Sequence, residues 1–187
     1  MEMRMRVTLM AAAALAIGAP AAAQDAQPAT FTYGPVFTEF GPVADVPDAD
    51  FAIPEDASFH VAFDVSQPAK DGKLNRGFES AARFINMNAR AGVEPMENRA
   101  AVVVHGPAVF DLLSDAAWAA RDRGETNPSA AAVREMIDQG VRFIVCGQSA
   151  AGQGVAKSEL LPGVEMALSA MTAHALLQQQ GYTVNPF

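Results

Sequence analysis

The sequence predicts an α/β fold, an open and mostly parallel five-stranded sheet with helices on both faces. Three observations lead there. Past residue 57, β-type and helix-type patterns alternate, beginning and ending on a strand. Two of the strand candidates, "AAVVVHG" and "VRFIVC", are near-continuous apolar runs rich in β-branched residues, as strands buried on both faces require. The length of 187 residues suits one domain with a core of its own.

Each element has its own signal. "SFHVAFDV" alternates Phe59, Val61 and Phe63 against His60, Ala62 and Asp64, which is the period of a strand. A loop with Pro68 and Gly72 follows. In "GFESAARFINMNARAG", Phe78, Ala82, Ile85 and Ala89 recur at helical spacing, and Gly92 stops the helix. "AAVVVHG" is the second strand, and "PAVFDLLSDAAWAARD" reads as one helix or two short ones. Asn127 is placed to cap a further helix with Pro128 at its first position, where a missing N–H costs nothing. Val133, Met136 and Ile137 form its apolar stripe, and Gly140 ends it. "VRFIVC" is the third strand and runs into a glycine-rich loop, "GQSAAGQG". "GVEMAL" is a short fourth strand. "SAMTAHALLQQQG" is a helix predicted to turn Ala173, Leu176 and Leu177 inward, and "YTVNPF" is the last strand. No internal repeat and no second domain are visible.

The start of the chain reads differently. "MEMRMRVTLMAAAALAIGAPAAAQ" has a basic head (Arg4, Arg6), an apolar stretch from Val7 to Ile17, and small residues at Ala21, Ala22 and Ala23. This is the pattern of a secretory signal peptide over residues 1–23, cut near Ala23. The apolar stretch falls short of the roughly 20 residues that span a bilayer. A periplasmic protein with no membrane insertion after cleavage is the expectation. Residues 24–57 form an extended arm, because Pro28, Pro35, Pro42, Pro47 and Pro54 block helix and central strand alike. The arm carries Phe31, Tyr33, Phe37, Phe40 and Phe51 and is expected to lie across the domain of residues 58–187 or across a neighbouring subunit. "DVPDAD" within it lacks the spaced ligands of a calcium loop.

Composition narrows the function. The net charge of −8 and the lack of any Lys/Arg run disfavour nucleic acid and anionic lipid as partners. There is one cysteine, Cys146, so no intrachain disulfide can form. No metal-ligand spacing such as CxxC or HExxH occurs, and no metal is expected. "GQSAAG" has glycines spaced like a phosphate loop, but "QGV" stands where Gly-Lys-Ser/Thr is needed. Met87, Met96, Met136, Met166 and Met171 are scattered like core filler.

In a parallel sheet, function gathers at the carboxyl ends of the strands. Three such tips are Asp64-Val65-Ser66, His105-Gly106-Pro107 and Cys146-Gly147-Gln148-Ser149. If the second and third strands are neighbours, His105 and Cys146 come within hydrogen-bond reach. Backbone N–H groups of the following loop would stabilise a thiolate, and His105 would tune its protonation. Gly147, Gly152 and Gly154 allow close backbone approach. Each residue has a plainer role open to it: Cys146 as a buried small hydrophobe, His105 as donor to a local carbonyl, His174 as a packed or surface residue.

The sequence resembles the DsrE/DsrF-like family, in its branch of small exported proteins. The resemblance covers nearly all of the chain beyond the leader. It includes "YGPVFTEFG", "VPDADF", "HVAFDV", "ARFINMNARAGV", "AVVVHGPAV", "GVRFIVCGQS", "LLPGVEMALSAMTA" and "QGYTV". It implies a flavodoxin-like domain that assembles into homo- or hetero-oligomers, often trimeric or hexameric. It also implies a cysteine that accepts sulfur as a persulfide and passes it on, and Cys146 stands at the matching place. His105 and Asn86 match recurrent positions without a role attached.

The expected protein is thus a periplasmic sulfur carrier, sulfurtransferase-like rather than a turnover enzyme, needing no cofactor. Cys146 and His105 are the reactive pair, with Gly106, Gly147, Gln148, Ser149 and Asn86 as binding residues. The partner is a donor or acceptor protein or a small thiol. Two alternatives use the same residues differently: a binding or assembly module with a structural cysteine, and a thiol-redox sensor.

Overall fold

The structure is a computed structural model that describes residues 29–70 and 72–186. The leader read over residues 1–23 and the first residues of the arm lie outside them.

Five strands make one sheet: β1 (Phe59–Val65), β2 (Asn98–Val104), β3 (Arg142–Cys146), β4 (Glu165–Ala167) and β5 (Thr183–Asn185). Their order is β4-β3-β2-β1-β5, and every pairing is parallel. The α/β class and the strand positions are as the sequence predicts, and the sheet is wholly rather than mostly parallel. The helices are α1 (Arg76–Arg90), α2 (Asp115–Ala119), α3 (Ala130–Asp138), α4 (Gly147–Gly152) and α5 (Ala170–Gln179).

Chain direction decides which face each helix covers. From β1 to β4 the chain steps one way across the sheet, and right-handed crossovers put α1 and α3 on the same face. From β4 to β5 it steps back, so the same handedness puts α5 on the opposite face. The two faces carry unequal cores. The larger gathers Val61, Phe63, Val65, Val102, Val104, Phe143 and Val145 with Phe78 and Ile85 of α1 and Val133 and Met136 of α3. The smaller holds Ala62, Ala101, Val103 and Ile144 under Ala173 and Leu177 of α5.

Asn75 Oδ1 accepts the Gly77 N–H at 2.8 Å to open α1. "PAVFDLLSDAAWAARD" resolves into a 3-10 segment over Gly106–Leu112 and then α2, whose N-cap Ser114 accepts the Ala117 N–H. Three expectations are corrected. Asn127 Oδ1 accepts the Ser129 N–H at 3.0 Å and closes a turn, but the N-cap of α3 is Ser129 and Pro128 lies before the helix. Leu176 is 50% exposed, because the inward stripe of α5 runs through Ala173 and Leu177. The stretch after Cys146 is not a loop: Gly147–Gly152 is helical. Its Gln-Ser-Ala-Ala centre is free of β-branching, and the Cys146 side chain caps its start.

The described part of the arm lies across the larger-core side. Thr32 and Val43 exchange backbone hydrogen bonds at 2.9 Å, and Phe37, Phe40 and Val43 are buried. Asn86 of α1 is the clamp. Its Oδ1 accepts N–H groups of Val36 (3.0 Å) and Phe37 (2.9 Å), and its Nδ2 donates to Phe37 O (3.0 Å) and Gly41 O (2.9 Å). Among the described residues no helix is long and apolar enough to cross a membrane.

Candidate functional site at the strand tips

The register aligns the strand tips. Val65 pairs with Val104, Val104 with Val145, and Cys146 with Ala167, so His105 and Cys146 follow paired residues on adjacent strands. Side chains alternate faces along a strand. Ala62, Val103 and Ile144 pack in the smaller core. Two residues further on, Asp64, His105 and Cys146 therefore turn to the same side, the one that α5 covers.

Cys146 ends β3 and is 5% exposed. Its Sγ accepts the Ser149 N–H at 3.4 Å across the first turn of α4. Burial pushes the thiol pKa up. Hydrogen bonds from the Ser149 hydroxyl and N–H, and from the backbone N–H groups of Ala170 and Gln148, outweigh it and hold the pKa below the ordinary thiol value. His105 is not among these causes. The close approach also explains Gly147, since a Cβ there would stand 2.6 Å from the carbonyl oxygen of Ala167.

The second tip is tied to α4. Gly106, with φ of +54°, donates its N–H to Ser149 Oγ at 3.0 Å, and its carbonyl accepts Gln153 Nε2 at 2.6 Å. Ser149 thus touches both tips, taking a hydrogen bond from Gly106 and giving one to the thiol. Gln148 is exposed at the rim, its amide 3.5 Å from Leu168 O.

His105 engages the first tip instead of the thiol. Its Nε2 lies 3.2 Å from Asp64 Oδ2. From α5, His174 Nε2 lies 2.8 Å from Asp64 Oδ1, so one carboxylate joins two imidazoles. Burial pushes the Asp64 pKa up, but the hydrogen bonds and charges of His174 and His105 prevail and lower it.

The predicted residues Cys146, Gly147, Gln148, Ser149, Gly106 and His105 are all brought to this end of the sheet. Asn86 is not. It is fully buried beneath the arm, and its neighbour Ile85 accepts a hydrogen bond from Asn98 at the opposite end of β2. Sequence reasoning placed Asp64 at a strand tip without a role and read His174 as a packed or surface residue, and the structure joins the two. The signal for His174 was its place beside Ala173 and one turn before Leu177, on the inward stripe. Among the described residues no group of three or more His, Cys, Asp or Glu is arranged to hold a metal ion.

These features define a DsrE-type α/β domain with a thiol at a strand tip. The family model for the DsrE/DsrF-like family matches residues 60–186, and the chain belongs to that family. Membership points to a sulfur-relay-related role. A protein of unknown function, MTH1491 from Methanobacterium thermoautotrophicum, has a similar solved structure. The TM-score is 0.52 at 21% identity, over 70% of this chain and all of that one, which bears on the fold. No curated protein matches the chain.

Proposed function

We propose that the protein is a periplasmic sulfur carrier in which Cys146 holds sulfane sulfur as a persulfide. The observation that carries this reading is the Ser149 N–H donated to Cys146 Sγ at 3.4 Å at the start of α4, where the Ser149 hydroxyl and the N–H groups of Ala170 and Gln148 also favour the thiolate. The thiolate attacks the outer sulfur of a donor persulfide. A new S–S bond forms at Cys146, the donor's S–S bond breaks, and the donor leaves as a thiolate that takes up a proton. An acceptor thiolate then attacks the outer sulfur on Cys146, which leaves as the thiolate it began as. No external oxidant or reductant enters either step. The acceptor is a partner protein or a small thiol, because the chain has no second cysteine. Leu168, Met171 and Leu176, exposed along the α5 side, support the homo-oligomer implied by the resemblance.

The 5% exposure of Cys146 favours a second reading, a structural cysteine in a binding or assembly module. One experiment separates the two. The protein is isolated from the periplasm without reductant, exposed to polysulfide, and its intact mass measured beside Cys146→Ser. The expected result is a reductant-labile gain of sulfur that the variant lacks. A thiol that stays unmodified and resists alkylation in the folded protein overturns the carrier reading. A stable intermolecular disulfide in place of added sulfur would indicate a redox sensor. The mass also shows whether the chain begins near Gln24.

A further inference from the structure

We propose that the cleft between the β1–α1 loop and α2 is a second binding site, for a small zwitterion of the α-amino acid class, with Asp111 taking the ammonium group and Arg123 the carboxylate. The cleft has a volume of about 650 Å³, within the range of small-molecule sites, and lies among the segments that follow β1 and β2. It is separate from the thiol. Leu112 and Trp118 beside it belong to the larger core, whereas Cys146 turns to the face that α5 covers.

Asp111 is only 2% exposed, yet it lines the cleft. Its Oδ2 accepts the Ala69 N–H at 2.7 Å and Asn75 Nδ2 at 2.6 Å, which ties down the loop after β1. Among the described residues its Oδ1 accepts no hydrogen bond. An amide oxygen would accept both loop bonds equally well, so the loop does not require a charge here. A carboxylate buried without a paired cation is costly. Burial pushes the Asp111 pKa up, against the hydrogen bonds from Asn75 and Ala69 and the charge of Arg123. An ammonium group at Oδ1 would supply the missing cation.

Arg123 offers the opposite half. Its Cζ lies 4.0 Å from the ring centroid of Phe110 and 5.2 Å from that of Trp118. Its carbonyl accepts Trp118 Nε1 at 2.8 Å, so backbone and head group are both fixed against the aromatic wall. Among the described residues its guanidinium makes no hydrogen bond and no ion pair. That planar fork matches a carboxylate. Asp111 and Arg123 sense each other's charge without forming an ion pair, so a molecule carrying both charges can bridge them. The charged groups described around the cleft are Lys70 and Arg123 against Asp111 and Asp122. They balance, which disfavours a polyanion or a polyamine.

Calorimetric titration of the purified protein with the standard L-amino acids, each alone, tests this. At least one is expected to bind saturably and to change the fluorescence of Trp118, the single tryptophan, which lines the cleft. Its N-acetyl derivative, without the ammonium, and its amide, without the carboxylate, should each bind about 10-fold more weakly or worse. Asp111→Asn should lose affinity to the same degree and melt no lower than wild type, because its amide oxygen keeps the loop bonds. Arg123→Gln, at an exposed position, should show the same loss and decides the matter if Asp111→Asn does not fold. Cys146→Ser should bind as wild type does, so this site and the carrier reading stand or fall separately. No binding by any amino acid, equal binding of either derivative, or wild-type affinity in Arg123→Gln overturns the proposal. So does binding that disappears in Cys146→Ser, which would place the ligand at the thiol.

Discussion

Replacing Asn86 by alanine should loosen the arm and leave the thiol untouched. The side chain makes four short hydrogen bonds to arm backbone, at 3.0, 2.9, 3.0 and 2.9 Å, besides a long one to Phe40 O at 3.5 Å. A buried hydrogen bond contributes about 0.5–1.5 kcal/mol net, so the four together contribute about 2–6 kcal/mol. The loss has a ceiling, because an arm that comes away finds water for its N–H and C=O groups. What it then gives up is the burial of Phe37, Phe40 and Val43, at about 1.5–3 kcal/mol each. The expected destabilisation is about 2–5 kcal/mol, since the bonds and this burial act on one segment and do not simply add. Urea unfolding followed by fluorescence of the single tryptophan, the buried Trp118, measures it. Chymotrypsin should cut Asn86→Ala after Tyr33, Phe37 or Phe40 well before it cuts the wild type. Alkylation of Cys146 should be unchanged, because Asn86 lies on the other face and near the other end of the strands. A loss below about 1 kcal/mol with wild-type cleavage would refute the clamp, and a changed thiol would refute the separation of the two sites.

Two further predictions concern the tips. Ser149→Ala removes the hydroxyl that favours the charged form of Cys146, so the thiol pKa should rise and less thiolate should be present at neutral pH. The midpoint of the alkylation rate against pH then moves upward, and a midpoint that stays or falls counts against the assignment. Gly147→Ala places a Cβ against the Ala167 carbonyl oxygen and must prise β3 from β4, costing about 1–3 kcal/mol in thermal or urea unfolding.

Much of the fold was legible because its signals are local. Phe59, Val61 and Phe63 alternate in a strand that is found over Phe59–Val65, and Gly140 follows α3 as its stop with φ of +86°. The helix after Cys146 was not legible. Glycines at 147, 152 and 154 suggest a loop, and nothing local shows that the carbonyl of Ala167 leaves no room for a side chain at 147. The site was half visible for a related reason. The tips announce themselves at strand ends, so Cys146, His105 and Ser149 could be named. Which of them touch depends on strand order and on the face each strand presents. Asp64 and His174 are 110 positions apart and meet only because α5 crosses back over the sheet. Asn86 shows the opposite error, a polar residue named for the site that serves the arm.

The sheet is thickly covered on one side and thinly on the other, and the thiol sits on the thin side. There α5 is seated mainly by Ala173 and Leu177, so its detachment exposes far less apolar surface than unfolding the larger core does. The same helix gives Cys146 a backbone donor at Ala170 and brings His174 to Asp64. Shield and activator are therefore one element. Any breathing of α5 that widens the way to the sulfur also withdraws a hydrogen bond that favours the thiolate, so accessibility and acidity oppose each other. Observed reactivity then becomes a product of two populations, with its maximum at partial opening rather than at either extreme.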